Sequence, residues 1–315
     1  MSLKEESRSE YIARINKVTN YIEEHIDDSI HLDVIAQIAN FSPYHFHRIF
    51  SLLTGETPAL FIQRLRIEKA AGRIREYKEI SISEISDRCG FGSLSLFSRT
   101  FRKYFNMSAS EFRKADKAIL AKNGLYYSKN GQLLSKNSKE HPDYNAQLCT
   151  VNLKQLLLMD TKIEIKEMPE MKVIYCRHKG AFNAIGHAYE KLCKWAGPRG
   201  YLNNPQMKYL TVYHDDPSIT AIENVRQDAC VIVDQEIKVD GEIGKMTVAG
   251  GKYAVGHFEI GEKEFEKAWN TMCMWFTESG HQPGEGSTYE LYYNDHTQHP
   301  EQKFILDICI PVKPL

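Results

Sequence analysis

No stretch of the 315 residues approaches the roughly 18 consecutive apolar side chains a membrane helix requires, so no spanning segment is expected. The opening residues, MSLKEESRSE, lack the basic-then-apolar order of a secretory leader, and a cytoplasmic location is expected. Cysteine occurs seven times, an odd and scattered set with no C-x-x-C spacing. That pattern suits reduced thiols and argues against a disulfide framework. The twelve histidines hold no H-x-x-x-H pair and no His/Cys cluster at ligand spacing, so neither a metal nor a cofactor is expected. A P-loop, a G-x-S-x-G elbow and a dinucleotide fingerprint are missing as well, which removes several common catalytic classes.

What is present is a soluble globular composition, 42% hydrophobic and 26% charged, with length for about two domains. The net charge of −1 conceals a distribution: −4 over residues 1–40, +6 over 41–117, +2 over 118–160 and −5 over 161–315. A basic segment is what a phosphate-contacting surface needs, although a solvated helical surface carries the same charge.

The basic segment contains a repeat. Ile82, Ile85, Ser86 and Cys89 form one short amphipathic helix, followed by Gly90 at a turn and by a second helix with Phe97 and Phe101 on one side. Ser81 and Glu84 have the spacing of a capping box. Leu32, Ile35, Ala36, Ala39, Asn40 and Phe41 repeat this pattern fifty residues earlier. After the turn the offset becomes 51, with Phe46, Arg48 and Phe50 matching Phe97, Arg99 and Phe101. A single αα-hairpin occurs in many helical cores, but a repeated one with the same turn is the layout of two helix-turn-helix units. The connector, Pro58 to Glu76, starts on Thr57–Pro58 and has Arg64, Arg66, Lys69, Arg73 and Arg75 on the side expected to face water. An acidic helix over 10–25 reads as support, and a last helix starts at Ser108 with Glu111 as its capping partner.

These residues carry a resemblance. The run from about Asn20 to Lys117 looks like the DNA-binding domain of AraC/XylS-type transcription regulators. Its signature is present as Gly90, Phe91, Phe97, Arg99, Phe101, Arg102 and Phe105. The following family pattern T-P-x-x-(Y/F)-R appears as Ser108, Ala109, Ser110, Glu111, Phe112, Arg113, without its proline. Helix faces then assign the expected DNA contacts: Pro43, Tyr44, His47 and Arg48 in the first reading helix, and Leu94, Ser95, Ser98 and Arg99 in the second. Arginine pairs with a guanine edge or a phosphate, and an intradomain salt bridge is its competing use. The second helix has fewer polar base readers, so the first is expected to discriminate sequence more sharply.

Residues 118–160, rich in Asn, Gly, Ser and Lys, read as a linker. From 161 to 315 the pattern is α+β and repeats at an offset of 80. Ala188, Cys193, Trp195, Gly200, Tyr209, Tyr213 and Asp215 match Ala268, Cys273, Trp275, Gly280, Tyr289, Tyr293 and Asp295. Two strand-helix-strand-strand units with a cleft between them are expected. This half resembles the GyrI-like effector-binding domain, through the paired Trp-bearing helices and the run Y-E-L-Y-Y-N-D from Tyr289 to Asp295. The combination resembles the Rob-type architecture.

At the offset of 80, Glu290 replaces Leu210 and Tyr292 replaces Val212. A carboxylate in place of an apolar side chain invites a cationic ligand, with an aromatic neighbour to add cation–π attraction. The resemblance implies the same pocket. Trp195 and Trp275 are candidates for lining it, with the helix core as their competing place. The expected fold is an all-α tandem helix-turn-helix domain over 8–117, with units at 32–50 and 82–105 joined by helix 58–76, followed by an α+β tandem-repeat domain over 161–315. The expected function is that of a non-enzymatic, sequence-specific regulator binding double-stranded DNA and a small cationic or aromatic effector. RNA polymerase is a further candidate partner, and a monomer suffices on DNA because it carries both reading units. Two competing readings are a small-molecule hydrolase using Glu290 with a tyrosine, and a C-terminal domain that takes a protein partner.

Overall fold

A computed structural model describes residues 2–115, 125–127, 133–135, 158–202, 207–215, 222–235 and 237–315. Most of the expected linker lies outside the described residues; within it, β1 (Leu125–Tyr127) and β2 (Leu133–Ser135) pair antiparallel. The chain divides into two compact units, Met1–Ala13 with Asn40–Leu52 and Asn152–Leu315, and Arg14–Ala39 with Leu53–Val151. The sequence reading gives contiguous domains over 8–117 and 161–315 with a linker over 118–160.

Among the described residues, seven helices precede the strands: α1 (Leu3–Glu24), α2 (Leu32–Ile38), α3 (Pro43–Thr54), α4 (Pro58–Glu76), α5 (Ile82–Arg88), α6 (Leu94–Phe105) and α7 (Ala109–Lys114). Their starts follow from their caps. The side chains of Thr57, Ser81, Ser93 and Ser108 accept from the backbone N–H groups of Leu60, Glu84, Leu96 and Glu111. The Ser108–Glu111 box is reciprocal. At Ser81 the second half differs from expectation, because Glu84 reaches Arg88 at 2.6 Å instead. The turns need left-handed backbone, and Asn40 and Gly90 supply it at φ +55° and +73°.

Within the second unit, Phe91, Phe97, Phe101, Phe105 and Phe112 join Ile67, Ala70, Ile74 and Ile85 in one buried core. The connector corrects the sequence reading. Its basic side chains act as staples rather than as a wet face. Arg64 is 4% exposed and pairs with Glu56 and Glu68. Arg66 donates to the carbonyls of Ile26 and Asp28 at 2.9 and 2.6 Å. Lys69 and Arg73 reach Asp27, and Arg75 reaches the carbonyls of Phe112 and Ala115. Orphan helix-end carbonyls and three acidic residues, Glu56, Glu68 and Asp27, gave these cations local partners.

The C-terminal half contains β3 (Ile163–Met168), β4 (Met171–Lys179), α8 (Gly186–Ala196), β5 (Tyr209–Tyr213), β6 (Arg226–Ile232), β7 (Ile243–Val248), β8 (Gly251–Ile260), α9 (Phe265–Ser279), β9 (His281–Pro283), β10 (Thr288–Tyr292) and β11 (Phe304–Pro314). The sheet runs β3-β8-β11-β10-β5-β6-β4-β7, with β9 against β11. That order is symmetric about the β10–β5 pair. Each repeat also has a leading strand beyond the four elements expected, and the two are exchanged. β3 pairs with β8 of the second repeat, and β7 with β4 of the first.

The strand register revises the repeat. Leu210 lies opposite Leu291, and Thr211 opposite Glu290. Directly paired residues share a face, so Leu210 and Glu290 lie on opposite faces and cannot be symmetry mates. The mate of Glu290 is Thr211, at an offset of 79. The helices keep the offset of 80. Tyr189 Oη meets Thr211 Oγ1 at 3.0 Å, as Trp269 Nε1 meets Glu290 Oε1 at 2.7 Å. The same slip relates Arg177–Asp228 to His257–Asp307.

Candidate functional site

The two reading helices differ in surroundings. On α6, Phe97 and Phe101 are buried, while Leu94, Ser95, Ser98 and Arg99 are exposed together with Leu96, Arg102 and Lys103. The four predicted contacts therefore share one open face. On α3, Pro43 is exposed and Tyr44 and Arg48 are half-buried, but His47 is only 5% exposed. Tyr44 stands edge-on to Trp269, with ring centres 5.9 Å apart. The Arg48 guanidinium lies 4.6 Å from the Trp269 ring and 5.3 Å from that of Tyr44. Of the four contacts expected on α3, Pro43 alone is fully exposed. Burial holds the neighbouring His45 neutral, and with the Arg48 charge brings its pKa down to about 3.

Glu290 is fully buried on β10. Trp269 Nε1 donates to Oε1 at 2.7 Å and Tyr292 Oη to Oε2 at 2.5 Å. Tyr213 adds a further side-chain hydrogen bond. Burial raises the Glu290 pKa, against the opposing pull of these three donors and of the Arg48 charge. Burial beside the carboxylate drives the Tyr213 and Tyr292 hydroxyls well above their ordinary range, so they remain donors. Trp269 is edge-on to Tyr213 at 5.4 Å. The result is a carboxylate at the bottom of an aromatic box, an arrangement that favours cations.

The structure brings Glu290 and Tyr292 together and does not bring Trp195 or Trp275 to them. Trp195 donates to Asp240 at 2.6 Å and stacks on Tyr201. Trp275 packs on Phe276 and His281. Both sit on other sides of their helices, where the symmetry match of two tryptophans carried no information about the strand they face. Trp269 and Tyr213 were missed. The signal for Trp269 was its place one turn from Phe265 and one position after Ala268, on the sheet-facing side of α9. Among the described residues no group of three or more His, Cys, Asp or Glu side chains is placed to hold a metal.

Comparison with known proteins accounts for both halves. Residues 35–115 match a helix-turn-helix domain, and residues 161–313 match the GyrI-like small molecule binding domain. The chain is 34% identical over 108 residues to the HTH-type transcriptional activator RhaS of Salmonella schwarzengrund, which is 34% of this chain and 38% of that protein. RhaS of Enterobacter sp. gives the same identity and coverage. The chain thus spans well under half the length of these relatives. Among solved structures, the EcmrR C-terminal domain aligns with half of this chain and all of its own at 20% identity and a TM-score of 0.41. The DNA-binding domain of AdpA, solved with a target DNA, aligns with 33% of this chain and 93% of its own at 27% identity and a TM-score of 0.31. The chain thus joins a helix-turn-helix domain, similar to that of AraC-type regulators, to a C-terminal GyrI-like domain.

Proposed function

We propose that the protein is a sequence-specific transcription regulator whose helix-turn-helix units read DNA and whose GyrI-like domain senses an aromatic cation at Glu290. The observation that carries the effector reading is the fully buried carboxylate held by Trp269 and Tyr292. A buried carboxylate surrounded by ring faces and hydroxyls selects positive charge and flat shape together. The DNA reading rests on the matched domain and on the open face of α6 with Arg99, Arg102 and Lys103. In α6 the hydrophobic Leu94 offers a thymine methyl its contact, and Arg99 a guanine edge or a phosphate. The RhaS relatives act as activators, which makes contact with RNA polymerase part of the proposal for this chain.

Isothermal titration of the full chain with phenylguanidinium and with phenylurea, its uncharged counterpart, tests the effector reading. The charged compound is expected to bind and the neutral one not, and Glu290→Gln to abolish the difference. Equal binding of the two would refute a cation site. Product formation that disappears in Glu290→Gln would instead assign hydrolysis, since a carboxyl of raised pKa beside tyrosines is equipped for proton transfer.

A further inference from the structure

Positions 51 residues apart in α3 and α6 are equivalent, yet their exposure differs systematically. Leu96, Ser98 and Lys103 are exposed, while His45, His47 and Leu52 are 5%, 5% and 6% exposed. The face that α6 presents to solvent is covered in α3. The covering groups belong to the same compact unit as Asn40–Leu52. Leu52 clusters with Cys273 and Met274 of α9. Tyr44 and Arg48 lie against Trp269, the side chain that also donates to Glu290. The Arg48 charge acts on the Glu290 carboxyl, and Tyr44 acts on Tyr213 in the same box.

We propose that Arg48 is a built-in stand-in for the effector: its planar guanidinium occupies the aromatic side of the Glu290 box, and a planar cationic ligand competes with it and frees α3 to read DNA. This rests on the effector reading given above and names the ligand class more narrowly, as a flat delocalised cation able to replace a guanidinium on Trp269. The docked and released positions of α3 are the two states that ligand and DNA both bias. Ligand takes the box that Arg48 leaves, and DNA takes the face that Trp269 leaves. Both favour release, so each must strengthen the other by the same factor. Arg48 thereby has two alternating partners, an indole ring in one state and nucleic acid in the other.

The test is fluorescence anisotropy of the full chain on a duplex it selects from random sequence, with phenylguanidinium or phenylurea added. Saturating phenylguanidinium is expected to tighten DNA binding about fivefold or more, DNA to tighten phenylguanidinium by the same factor, and phenylurea to do neither. Leu52→Gln removes an apolar contact of α3 with α9 and adds no charge that could reach a phosphate. It is expected to raise ligand-free DNA affinity and to shrink the ligand's effect. Phenylguanidinium that binds through Glu290 but changes DNA affinity less than about twofold overturns the competition and leaves the effector site standing. Absence of any Glu290-dependent binding overturns both. A ligand effect that Leu52→Gln leaves at full size removes α3 docking as its cause, and the wild-type titration decides the matter should that variant fail to fold.

Discussion

Glu290 shows how one buried group sets conditions for a whole site. Burial raises its pKa, so the folded chain holds a proton on it at a pH where the unfolded chain has released it. In that window the native state binds more protons, and stability therefore falls as pH rises from the unfolded value of 4.5 through the raised folded value. Glu290→Gln is expected to remove this part of the pH dependence, read as a flatter plot of melting temperature against pH. Cation affinity runs the other way. It requires the ionised carboxylate, so phenylguanidinium binding should weaken as pH falls through the folded pKa. A binding profile that stays flat while stability changes would separate the cation site from this carboxylate. The residue types of the box were partly legible: the alternation of Tyr289 to Tyr293 put Glu290 and Tyr292 on one face. Trp269 was not, because identity at an offset of 80 drew attention to the paired tryptophans Trp195 and Trp275 rather than to the residue matching Tyr189.

At the level of the element, the helix-turn-helix units were largely legible, because turn and aromatic spacing agree, although α3 runs on to Thr54, past the expected end at Phe50, and Glu84 turns to Arg88 rather than completing its box. Gly90 illustrates the constraint. A Cβ there would stand 2.8 Å from the Arg66 guanidinium, which is already committed to the carbonyls of Ile26 and Asp28. Gly90→Ala therefore combines left-handed strain with loss of a staple, and is expected to cost about 2 kcal/mol or more in chemical denaturation. Asn40→Ala, at φ +55°, should cost only about 1 kcal/mol. Equal losses at the two turns would show that the Arg66 staple contributes nothing. The β-repeat was less legible. A tyrosine-rich strand matches itself almost as well one residue out of register, and a one-residue shift reverses every face. Hydrogen-bonded pairs across the sheet settle what the string of letters left open, with Thr211 as the partner and mate of Glu290. The leading strands β3 and β7 escaped notice for a different reason: each pairs with a strand of the other repeat, so neither forms a hairpin with the strand that follows it in the chain.

At the level of the molecule, the charge map of the sequence overstates the surface available to DNA. Residues 41–117 carry a balance of +6, but five of the basic side chains in that segment are engaged within the fold: Arg64, Arg66, Lys69, Arg73 and Arg75. Arg99, Arg102 and Lys103 of α6 are exposed and are the cations best placed to displace counterions from a phosphate backbone. The two groups should separate in the salt dependence of DNA binding. Arg102→Ala and Lys103→Ala are each expected to lower the slope of log K against log salt by about 0.9, the amount for one neutralised phosphate. Lys69→Ala should leave the slope unchanged while lowering stability by at most about 1 kcal/mol, since its partner Asp27 is itself half-exposed. A reduced slope in Lys69→Ala would mean that the connector leaves its staples to meet DNA. An unreduced slope in both α6 variants would mean that this helix enters no groove, and that its open face has another use.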